Sequence, residues 1–218
     1  QYLVNPPTRA DVLSVFVGQR PLLKSPKATS KSNGIGSTAT LSREHVIQVA
    51  NSGLITVTGG KWTTYRQMGE EVIDQAIASA SLPATTSVTA NLHLHGWTEQ
   101  PLPEPLNVYG SDAVELQTLS GADLLLHPNL PYTEAEVRWA ARYEMAQTIE
   151  DILSRRTRSL ILDAAASIAC APRVAQILAT EFGHDSTWEQ QQMKDYTAIA
   201  QGYQLDQQPS RSPTILKG

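Results

Sequence analysis

The run Thr58-Gly59-Gly60-Lys61-Trp62-Thr63-Thr64-Tyr65-Arg66 joins an apolar segment to an amphipathic one through two adjacent glycines. Glycine lets a backbone approach a ligand closely, and the first turn of a helix leaves N–H groups without intrahelical partners. With the helix dipole added, such a turn favours an anionic or electron-rich group. It is not a Walker phosphate loop, because Ile55 stands at the first glycine position and Trp62 follows the lysine. A plain strand-to-helix turn explains the same spacing and is the commoner occurrence.

Two further places offer a guanidinium. In Gly18-Gln19-Arg20-Pro21-Leu22 an arginine ends an apolar segment, and in Ser42-Arg43-Glu44 another precedes a second apolar segment. Either could grip a phosphate or carboxylate in a bidentate manner. A structural ion pair is the simpler account of each. Ser154-Arg155-Arg156-Thr157-Arg158 places three arginines at a helix end, where they favour the C-terminal partial charge. Helix termination outweighs a ligand site there. His93 and His95 could share one strand face, yet no carboxylate or cysteine accompanies them, so no metal site is assigned. His45, His127 and His184 stand isolated. The single cysteine, Cys170, lies among alanines and reads as a packed small side chain.

These residues sit on two halves of different habit. Residues 1–96 read as strands, turns and one helix; residues 97–106 as a proline-rich linker; residues 107–206 as a helical bundle; residues 207–218 as a frayed tail. The expected class is therefore α+β. Val12 to Val17 is apolar and β-branched enough for a buried strand. His45 to Ala50 and Leu54 to Thr58 flank Asn51-Ser52-Gly53 and read as a hairpin. Lys24 to Thr40 is polar and reads as a surface loop. Trp62 to Ser81 repeats apolar residues at three- and four-residue steps, giving one amphipathic helix.

In the second half, Thr133 and Glu136 form a capping-box pattern that opens a long helix, with Val137, Ala141, Met145, Ile149, Ile152 and Leu153 on one face. Leu160 to Cys170 reads as an internal helix. Pro172 would open the next one and Gly183 close it. Ser186 and Glu189 suggest another capping box, starting a helix that runs to about Tyr203.

Composition sets outer bounds. The 218 residues are 41% apolar, enough to bury a core, and carry a net charge of −4, which argues against a dominant nucleic-acid footprint. One cysteine excludes an internal disulfide. The opening residues lack both a methionine and a signal-peptide pattern, so the chain is expected to be a piece of something larger in a reducing compartment.

Taken in order, G-x-R-P-L (Gly18 to Leu22), S-R-[DE]-H (Ser42 to His45) and L-x-T-V-T-G-G-K-[WL]-T-T-Y-R (Leu54 to Arg66) resemble the FAD-dependent glycerol-3-phosphate dehydrogenases. Leu130 to Val137 and Glu150 to Arg158 are similar to that family's C-terminal helical domain. The resemblance runs from about Val12 to about Gly202. Its G-x-G-x-x-G dinucleotide motif has no counterpart here. The resemblance thus implies a C-terminal portion: a remnant of the FAD and substrate domain followed by the helical domain, inactive by itself.

It also implies roles. Gly59, Gly60, Lys61, Trp62, Thr63 and Thr64 would contact FAD, mostly through backbone groups, where amide donors would stabilise the charge of the reduced ring. Arg20 and Arg43 would bind the phosphate of sn-glycerol 3-phosphate, and Lys61 would face the reacting centre. The implied reaction moves a hydride from substrate C2 to flavin N5, yields dihydroxyacetone phosphate and passes electrons to quinone. The implied location is cytoplasmic, peripheral on the inner face of the cell membrane, with homo-oligomerisation an accompanying expectation. Two alternatives stay open: a non-catalytic helical interaction module, and a glycerol-phosphate oxidase using oxygen.

Overall fold

The structure is a computed structural model that describes residues 4–19 and 45–205. The polar loop at Lys24 to Thr40 and the tail from Gln207 lie outside the described residues. The chain divides into two compact units, Gly18–His95 and a second formed by Gln1–Val17 with Gly96–Gly218.

In the first unit, strands β1 (His45–Val49) and β2 (Ile55–Gly59) pair antiparallel, with His45 opposite Gly59 and Val49 opposite Ile55. The foreseen turn closes them: Gly53 takes φ +85°, and the Ala50 N–H donates to the Leu54 carbonyl at 2.9 Å. Helix α1 (Tyr65–Ala80) follows through a 3₁₀ turn at Trp62–Thr64. It stops at Ser81, whose left-handed backbone lets the Leu82 N–H reach the Ile77 carbonyl at 3.0 Å. The boundaries follow the apolar spacing and the glycine pair. Among the described residues of this unit none is buried. A hairpin and one helix present too little apolar area to enclose a core by themselves.

The second unit has a closed core. Short α2 (Ala113–Leu116) precedes strands β3 (Leu125–His127) and β4 (Leu130–Thr133), an antiparallel pair. The α+β class holds, and the helical half adds this hairpin, whose turn contains Pro128-Asn129. Pro131 is tolerated because a two-stranded ribbon consists of edges. Helix α3 (Glu134–Tyr143) begins as its capping box requires: Thr133 N–H donates to Glu136 Oε2 at 2.6 Å, and Glu136 N–H to Thr133 Oγ1 at 3.4 Å.

The long helix expected through Leu153 breaks instead. Met145 adopts φ +59° and is 85% exposed, although its spacing places it on the buried face. A second cap lies just beyond it. The Asp151 carboxylate accepts from the N–H groups of Gln147 and Thr148, both at 3.1 Å, and from Thr148 Oγ1 at 2.9 Å. This restarts the chain as a π-helical turn, Asp151–Arg156.

Pro172 does not open a helix. After α4 (Ser159–Leu162), Asp163 is extended and accepts from the Ala166 N–H at 2.9 Å, so α5 (Ala164–Phe182) begins there and carries Pro172 inside it. Proline removes one hydrogen bond from a helix interior. Burial of Cys170, Val174, Ile177 and Leu178 outweighs that loss. Gly183 closes α5 in the left-handed conformation, as expected. Helix α6 (Ser186–Gln201) is capped one residue earlier than its sequence suggests, by Asp185 accepting from the Trp188 N–H at 3.0 Å. Helix α5 is the centre of the core, packing on α3, α4 and α6.

The segment Val12–Val17 is neither a strand nor buried. Its polar groups bond to the helical unit: the Ala164 N–H donates to the Leu13 carbonyl at 3.1 Å, the Val15 N–H to the Tyr203 carbonyl at 2.8 Å, and Ser14 Oγ to the Leu160 carbonyl at 2.7 Å. Its partners are helix ends rather than a sheet.

Candidate functional site

The glycine turn is built from three local decisions. Strand β2 ends at Gly59, where φ is +79°, and Gly60 continues at φ +89°, both in the region that glycine occupies at least cost. Lys61 returns to an extended conformation and caps the 3₁₀ turn without a side-chain hydrogen bond to it. The Lys61 carbonyl accepts from both the N–H and the Oγ1 of Thr64, each at 3.0 Å.

One side of this turn is packed. A Cβ on Gly60 would lie 2.5 Å from Met68 Sδ and 3.2 Å from the His45 Cβ. By contrast Gly59, Lys61, Trp62 and Thr63 are exposed, and the Trp62 ring, 87% exposed, stacks on Tyr65 with centroids 5.7 Å apart. Lys61 has no carboxylate partner among the described residues. The turn thus offers an exposed aromatic face, and an ammonium and a first helical turn that have no carboxylate or side-chain cap among the described residues, to an electron-rich ligand.

Neighbouring side chains are tied down. Arg66 pairs with Glu70 and donates to Thr89 Oγ1 at 3.2 Å, linking α1 to the segment beyond it. His45, read as isolated in sequence, lies 2.7 Å from Glu71 Oε2 through Nε2. The Gln67 amide and the His45 ring hold the Glu71 carboxyl below the usual glutamate range. The signal for His45 was its place directly across the hairpin from Gly59. A groove of about 740 Å³ runs between α1 and the segment after it, bordered by Ile73, Ile77, Val88 and Leu92.

Arg20 and Arg43 lie outside the described residues. Arg155 and Arg156 take structural partners: Arg155 reaches Asp151 Oδ1 at 2.8 Å and Glu150 Oε1 at 2.6 Å, and Arg156 donates to the Glu144 carbonyl. Arg158 is exposed, with φ +58°. Among the described residues no three His, Cys, Asp or Glu side chains converge as a metal site, and no helix is long and apolar enough to cross a membrane.

Residues 54–192 match the family described as the C-terminal domain of alpha-glycerophosphate oxidase. That span begins one residue before the strand leading to the glycine turn and runs into α6, and the chain belongs to this family. It is also similar to mitochondrial glycerol-3-phosphate dehydrogenases. Identity is 34% to the protein of Arabidopsis thaliana, over 85% of this chain and 34% of the relative. It is 34% to that of Macaca fascicularis and 33% to that of Homo sapiens, each over 85% of this chain and 28% of the relative. The chain therefore spans about a third of the length of the curated relatives it matches.

Proposed function

We propose that this chain supplies the flavin-facing turn and the helical domain of an FAD-dependent glycerol-3-phosphate dehydrogenase that oxidises sn-glycerol 3-phosphate to dihydroxyacetone phosphate and reduces quinone. The observation that carries this reading is the Gly59-Gly60-Lys61 turn, with Gly59 and Lys61 exposed and no carboxylate paired with Lys61 among the described residues, inside the family-matched span. Backbone groups of Gly59, Gly60, Lys61, Trp62, Thr63 and Thr64 would hold the pyrimidine side of the flavin. FAD, when bound, supplies the hydride acceptor that no side chain can provide.

This chain's own contribution is charge and position. Uncapped amides and the Lys61 ammonium would stabilise negative charge beside them, at no reorganisation cost during reaction. Arg20 and Arg43 would fix the substrate phosphate. The open first unit supports a larger domain around it, and the 218 residues alone are expected to be inactive. The enzyme would act at the inner face of the cytoplasmic membrane as a peripheral protein.

In the full-length protein, Arg20→Ala should raise the KM for glycerol 3-phosphate while flavin content stays normal. An unchanged KM would remove Arg20 from the substrate site. The family's description favours a second reading, with oxygen as acceptor. Comparing turnover with a quinone and with oxygen decides between them.

A further inference from the structure

We propose that His45 and Glu71 form a clamp that fixes the Gly59-Gly60-Lys61 turn in the conformation that meets its ligand, making both positioning residues. The inference rests on the flavin reading above. Two consecutive left-handed glycines give the turn wide conformational freedom, and freedom of that kind must be removed for amides to act as preorganised donors.

The structure removes it from three sides. His45 begins β1 and pairs across the hairpin with Gly59. Its ring reaches Glu71 Oε2 on α1 at 2.7 Å, and Gln67 Nε2 donates to the other Glu71 oxygen at 2.7 Å, holding that carboxylate against the helix. Gly60 fits in the angle between them, against the His45 Cβ and the Met68 thioether. The clamp therefore bonds β1, which pairs with the strand before the turn, to the helix after it. Neither His45 nor Glu71 needs to touch the ligand, since each acts through the backbone between them.

The test uses the full-length protein with His45→Ala, Glu71→Ala, the double variant and His45→Gln, whose amide can still donate to Glu71. The clamp predicts that each alanine variant weakens FAD binding about three- to tenfold and moves the flavin midpoint potential to more negative values. The double variant should be no worse than either single one, and His45→Gln should recover most of the loss. Wild-type affinity and potential in the alanine variants would overturn the clamp, as would a glutamine variant no better than alanine. Failure of the wild-type full-length protein to bind FAD would instead remove the functional reading. The clamp is then judged by hydrogen exchange in the full-length protein without FAD. Faster exchange at the Gly60 and Lys61 amides in His45→Ala supports it, and unchanged exchange overturns it.

Discussion

A Cβ placed on Gly110 would lie 1.8 Å from the carbonyl oxygen of Gly96. The two glycines cross where the linker meets the helical unit, and the Ser111 N–H donates to that same carbonyl at 2.8 Å. Gly110 sits at φ 55° and ψ −128°, which side-chain-bearing residues avoid. Gly110→Ala should cost about 2–4 kcal/mol of stability in the helical unit. Urea unfolding followed by circular dichroism measures it, and a loss below about half a kcal/mol would contradict the packing described.

The break after α3 makes a second prediction. Asp151 caps a chain restart with three accepted hydrogen bonds. Asp151→Ala should destabilise the unit by about 1–2 kcal/mol. Asp151→Asn, which keeps one acceptor oxygen, should lose less.

Local rules carried much of this fold, and their failures share a cause. The hairpin around Gly53, the helix after Gly60, the Thr133 cap and the Gly183 stop are each written within a few residues, so their spacing was readable. The break at Met145 was not, because an apolar residue continued the helical period while the backbone left it. Thr148 and Asp151 were the available signal. Pro172 looked like a helix start, yet tertiary burial of α5 overrides the local preference. Val12 to Val17 has strand composition, but its bonding partners at Leu160, Ala164 and Tyr203 are remote in sequence. At the candidate site, the glycines and Lys61 were visible as a motif. His45 was not, because its partner Glu71 lies on another element.

Two buried glutamates two positions apart in α3's first turn, Glu134 and Glu136, should respond oppositely to acid. Hydrogen bonds from Arg173, with help from Arg138, hold the Glu134 carboxyl below its usual range. Arg173 donates to its two oxygens at 2.6 and 2.8 Å. A depressed folded pKa gives stability that is present above the unfolded value, about 4.3, and lost as pH falls through the folded one. Burial acts the other way on Glu136, raising its carboxyl despite bonds from Thr133 and Tyr109. Its ionisation costs stability at neutral pH, and that cost fades as pH falls through the raised value.

Glu134→Gln should therefore lose about 1–2 kcal/mol at pH 7, limited by the half-exposed Arg173. The gap to wild type should narrow as pH drops below about 4.3. A gap constant with pH would show that the ion pair contributes little.

Cys170 is fully buried, and desolvation pushes its thiol up to about 11. A protonated, inaccessible thiol is a poor nucleophile. Thiol reagents at pH 8 should modify the native chain slowly and the urea-unfolded chain at the rate of a free cysteine. Equal rates would mean that α5 does not pack as described.

Amide hydrogen exchange across Gly59 to Thr64, in full-length protein with and without FAD, probes the site at the groups assigned to it. Contact with the flavin predicts that these amides slow by about tenfold or more when FAD binds, with those of α6 unchanged. Saturating FAD that leaves the exchange of this turn unaltered would place the cofactor elsewhere and contradict the assignment.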